Sequence, residues 1–115
     1  MFDFEKLIVY SKAKEFNADV RKYLSTNKFD KITNDQLRRA SFSIVLNIAE
    51  GSGRFSNADR KNFFIISRSS IFECIAIFDV LRDENNMDDM IFENLYSKAE
   101  ELSKILFRLI QNLTK

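Results

Sequence analysis

Residues 57–83 read NADRKNFFIISRSSIFECIAIFDVLRD, and this stretch decides the fold. It contains no glycine or proline, and Ser56 with Asp59 is typical of a helix start, so we predict one helix over residues 57–83. Its apolar residues point in nearly every direction, whereas a helix in a solitary bundle needs an apolar stripe only somewhat wider than about 100°. The pattern therefore predicts a helix that is buried on more than one side.

The sequence on either side of this stretch predicts three more helices. Thr33 and Gln36 match a capping box, which indicates a helix over residues 34–50 that ends before a left-handed Gly51. Apolar residues at helical spacing predict helices over residues 3–24 and 88–113. The 115 residues include no proline and two glycines, too few for a fold rich in turns. We therefore expect an all-α protein, a single up-down-up-down four-helix bundle domain over residues 1–115.

The composition excludes several function classes. The chain has one cysteine and no histidine, so it has no internal disulfide framework and lacks the most common catalytic base and metal ligand. We expect no catalytic residue, no metal, no cofactor and no enzymatic activity. The opening MFDFEKLIVYSKAKE has charges throughout, unlike a signal peptide, and charged residues interrupt the most apolar stretch, so we expect no membrane contact and a cytoplasmic protein.

The net charge is +1, but charge is unevenly distributed along the chain. Residues 38–68 contain six basic and two acidic residues, whereas residues 73–101 contain nine acidic and two basic residues. Such runs are typical of solvated helix faces. They also fit a nucleic-acid partner at the basic part and a protein partner at the acidic part, and the sequence leaves these alternatives open.

Two helices carry more apolar surface than one bundle hides. Apolar residues cover about half the circumference of the 34–50 helix and nearly all of the 57–83 helix. A large exposed apolar patch normally marks an interface, and a second copy of the chain is the simplest partner. The alternative is that long neighbouring side chains shield the surplus. The predicted oligomer interface consists of Phe42, Leu46, Phe63, Phe64, Ile71, Phe72 and Phe78.

Polar residues interrupt both helices at helical spacing. Buried charges are tolerated only when they are paired and hydrogen-bonded. We therefore predict either a polar network that sets helix register and subunit geometry, or a polar groove that binds a ligand. The predicted network consists of Arg39, Ser43, Asn47, Glu50, Arg68, Ser70 and Glu73.

The connection at residues 51–56 leads directly into a helix N-terminus, where free amides attract anions. Most such glycine pairs are simple turns, so a turn and a phosphate site are both retained. The predicted phosphate contacts are Lys6, Gly51, Gly53, Arg54, Arg60 and Lys61. In an up-down bundle, residues 1–8, 47–62 and 104–115 form one end, here called the basic end, with seven basic residues, including Lys115, and four acidic ones.

The segment QLRRASFSIVLNIAEGSGR at residues 36–54 resembles the signature of bacterial four-helix bundle proteins encoded in intervening sequences of 23S rRNA genes. FEKL at residues 4–7 and the spacing from Arg68 to Glu73 extend the resemblance. It implies a homopentameric ring of up-down bundles without known enzymatic activity. The chain is also similar to the accessory protein of diversity-generating retroelements, a pentamer that engages nucleic acid and a reverse transcriptase. Two features depart from these patterns: Ser69 replaces a usual glycine, and the chain is nearly neutral whereas the retroelement protein is basic.

Two functional hypotheses follow. In the first, a non-enzymatic homo-oligomer associates with ribosomal RNA or ribonucleoprotein through the basic end, and its binding depends on salt. In the second, the oligomer is a scaffold or adaptor that binds another protein, for which the acidic residues 73–101 are the candidate surface, with no role for nucleic acid.

Overall fold

The computed structural model describes residues 1–114. It contains four α-helices: α1 (Ile8–Thr26), α2 (Lys31–Ser52), α3 (Asn57–Asp83) and α4 (Asp89–Thr114), with a short 3-10 helix at Asp3–Lys6 before α1. No strand occurs among these residues, which confirms the predicted all-α class. None of the described helices is both long enough and apolar enough to cross a membrane.

Each helix packs against the next one along the chain, and α1 also packs against α4. The hydroxyl groups of Ser67 and Ser70 on α3 reach Ile44 and Ser43 on α2, respectively. The later residue of α3 therefore contacts the earlier residue of α2, so these two helices run in opposite directions. All four helices contribute to one hydrophobic core, whose largest fully buried side chains include Phe16, Leu37, Ile44, Phe78, Leu102 and Leu106.

The start of α2 differs from the prediction. The helix begins at Lys31, and Asp30 rather than Thr33 is its N-cap residue. The backbone amide of Thr33 donates to Asp30 Oδ2 at 3.0 Å, and the Thr33 hydroxyl donates to Asp30 Oδ1 at 2.7 Å. These hydrogen bonds lower the pKa of Asp30 below its ordinary value. The prediction of a capping box at Thr33 was wrong, because the Thr33 hydroxyl donates to the Asp30 carboxylate and Asp30 is the residue that caps the helix.

The end of α2 corrects the role assigned to Gly51. The helix continues through Ser52, and no glycine of the described chain has a positive φ. Gly51 is buried against α3, where an added Cβ would lie 2.9 Å from Phe63 Cβ and 3.0 Å from Phe64 Cε1. A glycine is therefore needed here because the two helices approach closely, and not because the chain turns.

The other helix boundaries lie close to the expected ones. Before α1, Leu7 is extended and separates the 3-10 helix from the α-helix, so the predicted helix 3–24 is interrupted. The α3 helix spans residues 57–83, and the Ser56 side chain accepts a hydrogen bond from the Asp59 amide at 3.1 Å. Asp88 precedes α4, and its Oδ1 accepts from the Met90 amide at 2.7 Å.

Candidate functional site

The apolar residues of α3 divide between two sides of the helix. Phe64, Ile71 and Phe78 are 5%, 1% and 0% exposed and belong to the core of the single chain. Phe72, on the opposite side, is 57% exposed. The interface prediction is therefore corrected for Phe64, Ile71 and Phe78, because core side chains offer no surface to a partner. It remains for Phe72.

The exposed side of α3 joins the exposed side of α2 in one surface, which we call the outer face. On α2, Leu46 is 48% and Phe42 is 42% exposed, and both lie within one turn of Ser43. Ser69, where the resemblance noted from the sequence leads one to expect glycine, is exposed, so no helix of the described residues covers it. The exposed large apolar residues of the outer face are Phe42, Leu46, Ile65, Ile66, Phe72 and Val80.

Arginine side chains cover part of this apolar surplus. The Arg21 guanidinium lies 5.1 Å from the centre of the Phe42 ring, and that of Arg54 lies 4.6 Å from the Phe63 ring, which is half-buried. Arg68 lies 4.9 Å from the Phe72 ring. The shielding alternative thus accounts for much of Phe63, whereas Phe42 and Phe72 stay substantially exposed.

A shallow groove extends the outer face toward α4. It has a volume of about 320 Å³, and Arg68 at its edge also lies 5.3 Å from the Phe107 ring of α4. The groove is lined by Ile65, Arg68, Ser69, Phe72, Phe107 and Ile110. The exposed apolar surface of α3 therefore extends to the edge of α4.

Three members of the predicted polar network meet at the junction of α2 and α3. Ser43 Oγ accepts hydrogen bonds from Asn47 Nδ2 and from Ser70 Oγ, both at 2.9 Å. Asn47 Nδ2 also donates to the Ser43 carbonyl at 2.9 Å. Ser43 and Asn47 are half-buried and Ser70 is buried. The outer face therefore has a polar centre that already links the two helices.

The remaining predicted members lie outside this centre. Arg39 and Glu73 are exposed, and Glu50 forms an ion pair with Arg54 at 3.1 Å. Arg68 Nε donates to the Ser103 carbonyl of α4 at 3.3 Å. The prediction of one continuous network of seven residues was wrong, because Glu50 pairs with Arg54 and Arg68 bonds to Ser103 on α4.

Sequence reasoning missed two buried serines. Ser67 Oγ donates to the Ile44 carbonyl at 2.8 Å, and Ser41 Oγ donates to Asn17 Oδ1 at 2.9 Å. Both serines are fully buried. The only sequence signal for their burial was their helical spacing from apolar residues of the core. This signal is weak, because a serine in the core and a serine at the edge of the surface can have the same spacing.

The structure weakens the phosphate site predicted at the corner of α2 and α3. Gly51 is buried, so its prediction as a phosphate contact is corrected, and the Gly53 amide donates to the Glu50 carbonyl at 3.2 Å. Arg54 pairs with Glu50, and Arg60 Nε donates to the Arg54 carbonyl at 2.6 Å. These groups are already engaged within the chain.

Two other predicted phosphate contacts remain at the surface. Lys6 is exposed on the 3-10 helix, which packs against α2, and Lys61 is half-buried in the second turn of α3. Lys115, which was counted with the basic end, lies outside the described residues. No hydrogen bond or ion pair of the described residues links Lys6 or Lys61 to Arg54 or Arg60.

Comparisons with known proteins agree with the resemblance noted from the sequence. The family model described as "23S rRNA-intervening sequence protein" matches residues 5–108, nearly the whole chain. The chain belongs to the 23S rRNA-intervening sequence protein family. A crystal structure of a protein of unknown function from the S23 ribosomal protein family of Bacteroides thetaiotaomicron VPI-5482 superimposes with a TM-score of 0.84. It is 24% identical, and the match covers 90% of this chain and 98% of that one, which shows a shared fold. The comparison with curated proteins found no match.

The family signature at residues 36–54 spans most of α2 in this member of the 23S rRNA-intervening sequence protein family. Arg39, Ser43, Asn47 and Glu50 follow each other at steps of four, four and three residues, so they lie on one side of the helix. Gly51 in the same segment sets the close approach to α3. The signature therefore combines the contact between α2 and α3 with one edge of the outer face.

Proposed function

We propose that this protein is a non-enzymatic homo-oligomer of up-down-up-down four-helix bundles, and that copies associate through the outer face into a ring. The exposed apolar side of α2 and α3 is the observation that carries the proposal. The resemblance to the intervening-sequence proteins supplies the expected number of five subunits. The outer face supports self-association because it belongs to every copy and provides the same apolar surface each time.

The size of the apolar surplus supports this function. Burying a side chain the size of leucine or phenylalanine stabilises by about 1.5–3 kcal/mol relative to leaving it in water. Phe42, Leu46 and Phe72 are each only about half-covered, and Ile65 and Ile66 add exposed surface beside them. An apolar patch of this extent with a polar centre is typical of an interaction surface.

The chemistry of the only cysteine supports a non-enzymatic role. Cys74 is buried, and burial together with the neighbouring Glu73 raises its pKa to about 12. The thiolate is the nucleophilic form of cysteine, and it is scarcely populated at neutral pH with such a pKa. Among residues 1–114, no three histidine, cysteine or carboxylate groups converge in a way that suits a metal ion.

The subunit number of outer-face variants tests the proposal. We expect size-exclusion chromatography with light scattering to show an oligomer for the parent chain. Leu46→Glu and Phe72→Glu should each shift it to monomer while helicity by circular dichroism is retained. Met90→Glu is the matched control, because Met90 is 82% exposed in the first turn of α4 and lies outside the outer face. A monomeric parent chain at micromolar concentration would contradict the proposal.

Association with ribosomal RNA through the basic end stays a prediction. It is supported by the excess of basic over acidic residues in the segments that form the basic end and by the family resemblance, whereas the internal bonds of Arg54 and Arg60 count against a ready phosphate site. Fluorescence titration of RNA at two salt concentrations is the test. We expect binding that weakens with salt and is reduced by Lys61→Glu, with the exposed Lys22→Glu on α1 as control.

The scaffold alternative also stays a prediction, with the acidic residues between the end of α3 and the middle of α4 as its candidate surface. Native mass spectrometry of the protein purified from its own host, with and without nuclease, separates the two partners. A protein partner retained after nuclease treatment favours the scaffold, whereas a nuclease-sensitive complex favours RNA.

A further inference from the structure

Two residues of opposite charge lie on the outer face without an ion-pair partner. Arg39 is one turn before Ser43 on α2, and Glu73 is three residues after Ser70 on α3. Both are exposed, and every ion pair of the described chain joins other groups. Because α2 and α3 are antiparallel, the two charges lie on neighbouring helices, both about one turn from the polar centre toward the same end of the bundle.

Covering the outer face with a second copy removes water from around both charges. A charge that becomes buried without a partner is strongly unfavourable, whereas a charge that meets an opposite charge with good geometry is tolerated. Apolar neighbours such as Leu46 and Ile66 offer no compensation. Neither charge is paired within the described chain, so a partner surface that brings an opposite charge to each of these two positions is favoured over one that does not.

The outer face itself contains the required complement. Contact of α2 of one copy with α2 of another brings Arg39 toward a second Arg39, and contact of α3 with α3 brings Glu73 toward a second Glu73. Contact of α2 with α3 brings opposite charges together. Like-charge juxtaposition across an interface disfavours the wrong arrangement, so the charges select the last contact.

We propose that Arg39 of one copy forms an ion pair with Glu73 of the adjacent copy, and that this pair directs α2 of each subunit onto α3 of the next. The inference rests on the proposed self-association and specifies which surfaces meet. Each copy in the ring then uses its α2 side toward one neighbour and its α3 side toward the other, which is the arrangement that a closed cyclic assembly needs.

Charge reversal tests the pair. Arg39→Glu and Glu73→Arg should each raise the concentration at which half of the oligomer dissociates by at least about tenfold, as measured by light scattering on dilution. The double variant Arg39→Glu/Glu73→Arg restores an opposite pair and should return this concentration to within about threefold of the parent chain. An equimolar mixture of the two single variants should form mixed assemblies in native mass spectrometry more readily than either variant alone assembles, since four of the five contacts in a mixed ring of five then join opposite charges.

Exposed charges elsewhere provide the control. Lys22→Glu on α1 and Glu93→Lys on α4 reverse exposed charges outside the outer face and should leave assembly unchanged. Circular dichroism checks that every variant remains helical. If the parent chain assembles and either single reversal leaves assembly unaffected, or if the double variant stays dissociated, the ion pair is overturned while self-association stands. A monomeric parent chain overturns both.

Discussion

The contact between α2 and α3 and the contact between α1 and α4 hold their helices together by different means. Between α2 and α3, Gly51 lies directly against Phe63, and Ser67 donates to the Ile44 carbonyl in the buried interior. Between α1 and α4, Lys98 pairs with Asp19 and Glu15, and Lys12 with Glu101 at 2.6 Å, all of them partly exposed to solvent. The first contact depends on close packing and the second has ion pairs along its edge.

The difference indicates which side of the molecule is suited to a partner. Surface ion pairs such as those of Lys98 are compatible with water and contribute little to stability. The outer face beside the contact of α2 with α3 instead exposes Leu46, Ile66 and Phe72 to solvent. Covering the outer face removes apolar surface from water, whereas covering the ion pairs requires desolvation of charges. Three substitutions test this contrast, in order of expected effect.

Gly51→Ala should have the largest effect. The added Cβ lies within 3.0 Å of two phenylalanine side-chain atoms, so α2 and α3 must separate, and we expect a loss of about 2–3 kcal/mol in the free energy of unfolding. Gly53→Ala is the matched control, because the nearest atom to its Cβ is the Glu50 carbonyl oxygen at 3.6 Å. Urea denaturation at one fixed protein concentration measures both. Equal losses for the two glycines would contradict close packing at Gly51.

Ser67→Ala should have an intermediate effect. The variant removes the hydrogen bond to the Ile44 carbonyl without adding volume, and the expected loss is about 0.5–1.5 kcal/mol. Ser97→Ala on α4 is the control, since Ser97 is exposed. Thermal denaturation followed by circular dichroism measures the difference. A loss no greater than that of the control would show that the buried hydroxyl contributes nothing to this contact.

Lys98→Met should have the smallest effect, about 0.2–1 kcal/mol, because exposed ion pairs are screened by water and salt. The effect also depends on pH. The hydrogen bond to Asp19 raises the pKa of Lys98 above its ordinary value of 10.5. The contribution of Lys98 is therefore fully present below the ordinary pKa and is lost as the pH rises through the higher pKa of the folded state.

The comparison of the parent chain with Lys98→Met should therefore show a difference in unfolding free energy at pH 8 that shrinks above pH 10.5. Added salt at pH 8 should reduce the same difference. A difference that persists under both conditions would mean that Lys98 contributes through the packing of its aliphatic chain rather than through its charge.

The sequence predicted the elements better than their connections. Helix α3 follows from a stretch rich in apolar residues and without glycine or proline, between the cap at Ser56 and the break at Asn85, which has a positive φ of 60°. The start of α2 was missed because Asp30 and Thr33 are both good cap residues, and only their mutual hydrogen bonds decide which one caps. The role of Gly51 was missed because a glycine near a helix end has the same local pattern in a turn and in a close helix contact.

The candidate site was predicted only in part for a related reason. Ser43, Asn47 and Ser70 meet as expected, since helical spacing places the first two together and the pairing of α2 with α3 brings the third. Phe72 and Phe78 are indistinguishable as residue types, yet one is exposed and the other is buried. Apolar residues on nearly all sides of α3 left no sequence signal for which side faces the core.

By itself, the sequence determined that the chain forms four helices, that it belongs to its family, and that α3 carries more apolar surface than one bundle hides. These properties depend on local spacing, cap residues and a matched signature, all of which can be read along the chain. Only the tertiary structure decided which phenylalanines face outward, that the lack of a side chain at Gly51 lets α2 and α3 approach closely, and that Arg39 and Glu73 form no ion pair among residues 1–114. These properties depend on contacts between residues far apart in the chain, and helical periodicity specifies which residues share a side but not what that side meets.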